Sequence, residues 1–192
     1  LNILYEDNYI IVCQKPAGVS SQTERGFDPD MVSILMNHLH QAGVEKPYVG
    51  VIHRLDKPVS GVMVYAKTIE AEQILEHNWH NIVTDRRYVA LCSGHSENPQ
   101  GKVESWLKDN KAFFTFSSPT DNGGKYALTH YKTLKSNDKY SLVEFKLETG
   151  RKNQIRVHTQ DLGCPICGDI KYGNGDNPIG RLALHAFRLN FY

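Results

Sequence analysis

The sequence predicts an α+β protein, a mixed and largely antiparallel sheet flanked by helices. Three observations predict it. Apolar, β-rich runs recur between turn clusters from residue 86 to residue 148; two earlier stretches carry helical periodicity; and no repeat, low-complexity tract or linker-like segment divides the 192 residues. With 40% hydrophobic and 22% charged residues, the composition is that of a globular chain with ample material for a core. One compact unit over residues 1–192 is expected.

Residues 9–13 (YIIVC) read as a buried strand, ended by the KPAG turn at Pro16 and Gly18. Val32, Leu35, Met36 and Leu39 then recur at i, i+3, i+4 and i+7, a helix for which Asp28 or Asp30 supplies the cap. After a Gly/Lys/Pro connection comes HRLDKPVSG (53–61), a charged loop feeding the strand GVMVYAK. Thr68 caps a second helix; Glu70 and Glu72 complement its positive end, and Ala71, Leu75, Trp79 and Ile82 form its apolar stripe, which stops near Thr84.

RRYVALCSG is the next strand, with Tyr88 at its start. WLKD, KAFFTF, YALTHYKTL and YSLVEFKLET follow, separated by DN, SSPTDNGG and SND turns, the pattern of an antiparallel meander. TGRKNQIRVHTQDLG reads as a short helix running from near Thr149 to a C-terminal cap at Gly163. A Gly/Pro/Asn loop at 173–180 leads to the last strand, RLALHAFRLNFY.

No apolar run approaches the ~20 residues that span a bilayer, and the N-terminal stretch lacks the basic start and cleavage site of a signal peptide, so a cytoplasmic setting is expected. Cys13, Cys92, Cys164 and Cys167 are too few for a disulfide framework and are expected as reduced thiols. The formal net charge of +1 provides no global field for a nucleic acid, so any such argument must rest on local clustering. The chain starts at Leu1 rather than Met and stops inside a strand-like pattern, consistent with truncation at one or both ends.

Several short patterns fail on inspection. Cys164-Pro165-Ile166-Cys167 has CxxC spacing without a second pair, so no metal site is assigned. His53-Arg54-Leu55 carries Leu where a zinc deaminase needs its proton-shuttling Glu. GGK at 123–125 lacks the glycine spacing and hydroxyl of a phosphate-binding loop, and GNG at 173–175 opens no helix after a strand, so no nucleotide cofactor is expected. His38, His77 and His130 lie within regular elements without carboxylate partners in sequence and are assigned nothing.

HRLDKPVSG concentrates more requirements. Pro58 restricts Lys57 to extended geometry, and Ser60-Gly61 turns the chain into the strand, which would hold Asp56 rigidly. A nucleophilic or basic carboxylate must be ionised, and a nearby guanidinium lowers an Asp pKa by about 1–3 units; Arg54 is one candidate, any arginine folded against the loop another. The other reading of Arg54 and Asp56 is a solvated surface pair worth little. In the expected C-terminal helix, Lys152 and Arg156 are four apart, and Arg151 and Lys152 stand at a helix start whose dipole repels cations, which suggests an anionic partner or a merely solvated basic face. Tyr88 after Arg86-Arg87 combines a ring with two guanidiniums, suited to stacking a base beside a phosphate backbone or to core filling.

Taken together, ILYEDNYIIVCQKPAG, HRLDKPVSGVMVYAKT, RRYVALCSG, GRKNQIRVHTQDLGCPICGDIKYG and RLALHAFRLNFY occur in the order found in the RluA-type RNA pseudouridine synthases, and this resemblance covers essentially the whole chain. It implies a pseudouridine synthase catalytic fold with a central active-site cleft, no cofactor, and structured RNA (ribosomal or transfer RNA) as substrate of a monomer. By the same resemblance Asp56 is the catalytic nucleophile. Tyr88 stacks on the target uracil and takes part in removing the C5 proton, Arg156 pairs with Asp56, and Arg54 fills the gap left by the extruded base. Leu184 lines the base pocket, and a basic cleft would combine Arg54, Arg86, Arg87, Arg151, Lys152 and Arg156. Val59 and Asn153 depart from the Thr and His usual in the family, Thr159-Gln160-Asp161 replaces a commoner Ala-His pair, and the N-terminal S4 domain of many relatives is not in this chain. A catalytically inactive RNA-binding module of the same fold is the alternative; a glycosidase would need two flanking carboxylates where one is placed.

Overall fold

The computed structural model describes residues 1–192, which divide into two compact units, Leu1–Thr84 with Arg188–Tyr192, and Asp85–Phe187. The fold class is α+β, with antiparallel ladders and three helices.

In the first unit, β1 (Asn2–Glu6) pairs with β2 (Ile10–Lys15), β2 pairs with β4 (Ser60–Ala66), and the two-residue β3 (Gly50–Val51) adds to β4, all antiparallel. β1 escapes the sequence reading because four of its five residues are exposed and no apolar alternation marks it. Along β2 every second side chain is buried, Ile11, Cys13 and then Lys15, so one face of the strand is apolar until its last position. Helix α1 (Met31–Gln41) starts at Asp30, whose carboxylate accepts from Ser33 N at 2.8 Å, and it buries Met31, Leu35 and Leu39. Helix α2 (Ile69–Ile82) starts at Thr68, whose hydroxyl accepts from Ala71 N at 3.1 Å; Ala71, Leu75 and Trp79 are buried, as the stripe requires. Neither helix is long and apolar enough to cross a membrane, nor is the third.

The second unit is the meander. β5 (Val83–Ser93), β9 (Tyr140–Leu147), β8 (Lys125–Ser136), β6 (Gln100–Asp109) and β7 (Thr115–Ser118) lie in that spatial order. β5 begins in the first unit and is longer than expected, which puts Tyr88 in its interior opposite Phe145 rather than at its start. KAFFTF is a strand only from Thr115; before it the chain turns through Phe113, at φ 60°. The last strand, β10 (Leu184–Phe191), begins at Leu184 rather than Arg181.

Helix α3 corrects the longer helix expected there. It spans Gln154–Asp161, and Asn153, at φ 57°, is its N-cap. Arg151 and Lys152 therefore precede it, and Lys152 shares no helical face with Arg156. The start is shifted because the Gln154 side chain takes over the turn before the helix, accepting from Thr149 Oγ1 and Arg151 N at 2.8 and 3.0 Å. The end is as expected: Gly163, at φ 74°, closes it with Gly163 N to Gln160 O and Cys164 N to Thr159 O bonds. α3 packs on β7 and β8, and Val157 meets Leu107, Ala127 and Tyr172 in the core. His158, fully buried, bridges Thr129 Oγ1 through Nδ1 (2.7 Å) and Ser105 Oγ through Nε2 (2.9 Å). Burial pushes its imidazole down to about 4.

Candidate active site

The loop around Asp56 is fastened at its backbone. Leu55, buried to 7% exposure, donates its N–H to Ser21 Oγ at 3.0 Å and accepts from the same hydroxyl at 2.7 Å. On the other side of the aspartate, the Lys57 carbonyl accepts from Gly18 N at 2.8 Å and from Lys15 Nζ at 3.0 Å. The buried Lys15 ammonium also donates to the Pro16 and Val19 carbonyls, so the KPAG turn and the aspartate loop are held by one cation. Val59 N closes the turn onto Asp56 O at 2.9 Å, and the buried Val59 side chain anchors it. Asp56, half-buried, thus sits between two peptides that each have hydrogen-bonded partners outside the loop. Ser60 and Gly61, the latter at φ 148°, are already the first two residues of β4, so the turn expected at the Ser-Gly pair is made before it, by residues 56–59.

His53 is fixed at the head of the same loop. Its Nε2 accepts from Val64 N at 3.0 Å and its ring stacks on Trp79 with centroids 4.7 Å apart. Arg54 is exposed. Lys57 reaches Asp28 at 2.9 Å, an exposed pair of small energetic weight.

In the second unit, Arg156 is the centre of a buried polar network. Its Nε and Nη2 donate to the two oxygens of Asp169 at 2.9 and 2.8 Å, Nη1 donates to Asn153 Oδ1 at 3.3 Å, and the guanidinium lies 5.2 Å from the Tyr172 ring centre. Asp169 also accepts from Lys171 N and Tyr172 N, both at 3.0 Å. The Tyr172 hydroxyl in turn accepts from Thr115 N at 2.9 Å and Asn153 Nδ2 at 3.3 Å. Such a bidentate charge-assisted pair fixes the guanidinium plane as well as its position.

Asp169, Tyr172, Ser21 and Lys15 are the residues that sequence reasoning left without a role, and Asn153, noted there as a departure from the family's usual His, is the N-cap of α3 and a partner of Arg156. The signal for Asp169 lay in the glycines around it. A Cβ at Gly168 (φ 75°) would stand 1.9 Å from the Arg181 carbonyl oxygen, and one at Gly173 would stand 2.3 Å from Asp169 O, so both ends of the Gly-Asp-Ile-Lys-Tyr-Gly turn need glycine.

The remaining predicted cations differ in how far they are already engaged. Arg87 is held by Asp85 at 2.9 Å and Glu144 at 3.3 Å, and Lys152 by Asp109 at 3.1 Å. Arg151 donates from Nε to Tyr126 O at 2.9 Å. Arg86 is half-buried, and burial pushes its guanidinium down against the opposing pull of Tyr88 and Glu148; Gly150 makes room for it, since a Cβ there would lie 2.6 Å from Nη1. Tyr88 is half-buried, and Leu184 is buried to 4% exposure, with its carbonyl accepting from Arg181 Nη2 at 3.1 Å. All four cysteines are buried free thiols, and burial pushes Cys13 up to about 12. No three His, Cys, Asp or Glu side chains gather as a metal-binding group.

Comparison with known proteins matches residues 9–161 to a family described as RNA pseudouridylate synthase. The chain is 36% identical over 97% of its length to Uncharacterized RNA pseudouridine synthase YhcT of Bacillus subtilis, covering 62% of that protein. It is likewise 36% identical over its whole length to ribosomal large subunit pseudouridine synthase D of Neisseria meningitidis, covering 54% of it. The chain therefore spans little more than half to three-fifths of these curated relatives. Among solved structures, Human RNA Pseudouridylate Synthase Domain Containing 4 superposes with a TM-score of 0.79 at 26% identity, over 98% of this chain and 83% of that one.

Proposed function

The chain belongs to the RNA pseudouridylate synthase family, and from that premise we propose that it isomerises uridine to pseudouridine in structured RNA, with Asp56 as the nucleophile. One observation carries the assignment of Asp56: within the stretch matched by the family, its two neighbouring residues, Leu55 and Lys57, are tied through their peptide groups to Ser21, Gly18 and Lys15. A carboxylate carried on a backbone fastened in this way needs little reordering before it meets a reacting carbon.

The reaction breaks the N1–C1′ bond of the uridine, turns the uracil and joins C5 to C1′. The C5 proton leaves and N1 ends protonated, so atoms and electrons balance without a redox partner. Asp56 adds to C1′ or C6 of a nucleotide turned out of its stack, an extrusion costing a few kcal/mol and least in loops. In this reading Tyr88 stacks on the uracil and takes part in removing the C5 proton, Leu184 forms another wall, and Arg54 fills the gap left in the RNA. Arg156, its plane set by Asp169, keeps Asp56 negative. Arg86, Arg151 and Lys152 supply the basic surface, and Arg87, with two carboxylates already on it, contributes least. The substrate class is ribosomal or transfer RNA, acted on by a monomer in the cytoplasm; relatives named as ribosomal large subunit synthases support the ribosomal choice.

The test is tritium release from RNA carrying C5-tritiated uridine. The parent should release it, and Asp56→Asn should lower the rate by about three orders of magnitude or more while still binding RNA. RNA binding by both proteins with tritium released by neither would reassign the chain as a binding module.

A further inference from the structure

We propose that the tip of the hairpin joining β6 and β7, residues 109–116, is a stacking platform for unpaired bases of the RNA, with Phe113 and Phe114 as its surface and Lys111, Lys152 and Lys171 as its charge. This deepens the reading above and rests on RNA being the substrate.

Phe113 is 70% exposed and stands at φ 60°. Only one other non-glycine residue has a positive φ, and that is Asn153, a residue type that tolerates it. An exposed phenylalanine in a disfavoured backbone region is held there by its surroundings. Asn110 Oδ1 accepts from Ala112 N at 2.9 Å and Phe114 N at 3.1 Å. Asn110 N donates to Phe114 O at 2.8 Å, and Phe113 N donates to Asn110 O at 3.0 Å. Lys171 Nζ donates to the Phe113 carbonyl at 2.6 Å. The ring faces solvent on a backbone fixed by five hydrogen bonds.

Phe114 is 43% exposed. Its ring meets Tyr172 edge-on at 6.0 Å and carries Lys171 Nζ at 4.7 Å from its centre. Three lysines share this tip with one carboxylate, Asp109, which Lys152 and the Thr115 hydroxyl already engage. Two positive charges are in excess. Rings that any base can stack on, beside cations that take phosphates, fit single-stranded RNA of any sequence. A protein partner fits less well, since the apolar area is small and ringed by one sign of charge. The platform is also rigidly mounted: Thr115 N donates to the Tyr172 hydroxyl, and Asn153 Nδ2 reaches both Thr115 Oγ1 and Tyr172, joining the hairpin to the network that holds Arg156.

The experiment is a fluorescence-anisotropy titration of the full chain with a labelled, unpaired oligouridylate, across a salt series, for the parent, Phe113→Gly, Phe113→Trp and Lys111→Gln. Glycine is at home at φ 60°, so Phe113→Gly should bind about tenfold or more weakly while its thermal midpoint stays level or rises. Phe113→Trp should bind at least as well as the parent, and Lys111→Gln should lower the salt slope by about 0.7. Parental affinity in Phe113→Gly overturns the platform, and if that variant still releases tritium the isomerase reading stands. Loss of self-association in Phe113→Gly with RNA affinity intact overturns it too, giving the ring to a second copy of the chain. Weakened RNA binding in Phe113→Gly, with no tritium released by the parent, upholds the platform and removes the isomerase reading.

Discussion

Arg156 grips Asp169 with two parallel bonds, Nε to Oδ2 at 2.9 Å and Nη2 to Oδ1 at 2.8 Å, and the carboxylate is only 1% exposed. Two of the guanidinium's five donors are thereby committed to one plane, and Asn153 takes a third. The arginine proposed to keep Asp56 ionised is therefore preorganised by residues outside the chemistry.

Asp169→Asn removes the charge opposite a guanidinium that is itself nearly buried. Breaking one partner of such a pair costs about 3–5 kcal/mol, so the urea midpoint should fall clearly. Tritium release should fall further than the loss of folded protein explains, because Arg156 loses its orientation. A variant with parental turnover per folded molecule would show that Asp169 acts on stability alone.

Ser21→Ala strips both hydrogen bonds from the Leu55 peptide, whose side chain is buried. An orphaned buried donor and acceptor cost about 1–3 kcal/mol, which denaturant unfolding would register. Since Ser21 touches the loop backbone and not the aspartate side chain, turnover should drop without a matching rise in KM. Ser21→Thr, which restores the hydroxyl, should recover most of the loss if the added methyl is accommodated.

His158 makes stability fall with acid. Burial depresses its folded pKa to about 4 from an ordinary 6.5, so between these values the unfolded chain binds a proton that the folded chain refuses. Stability is full above pH 6.5 and declines by up to about 1.4 kcal/mol per unit as pH falls towards 4, about 3 kcal/mol in all. His185, depressed by burial and by Arg181, acts with the same sign, whereas Glu6, Asp7 and Asp109 have lowered carboxylate values and act at still lower pH. Unfolding measured at pH 7 and pH 5 should show a steeper decline in the parent than in His158→Gln; equal declines would place the sensitivity elsewhere.

The legible parts of this protein were those where local rules and burial agree. Thr68, Asp30 and Gly163 cap helices because side-chain oxygens and a left-handed glycine satisfy orphan backbone groups whatever surrounds them. The strand YIIVC and the Ala71, Leu75, Trp79 stripe were readable because their burial follows their period. β1 was not, being mostly exposed, and neither was the start of α3, where the long-range bonds of Gln154 to Leu128 O and Thr129 Oγ1 help hold the turn before the helix.

The sequence by itself determined the order of the elements other than the short or exposed β1 and β3, the bend that presents Asp56, and the family, because these depend on residue type and spacing along the chain; the need for glycine at 168 and 173 shows only in the contacts a Cβ would make there. Only the tertiary structure decided that Ser21 and Lys15 fasten the aspartate loop, that Asp169 orients Arg156, and that Arg87 and Lys152 already face carboxylates. A side chain's hydrogen-bond partner, often dozens of residues away, is chosen by which backbone and side-chain groups folding leaves within about 3 Å of it, and no local pattern encodes that.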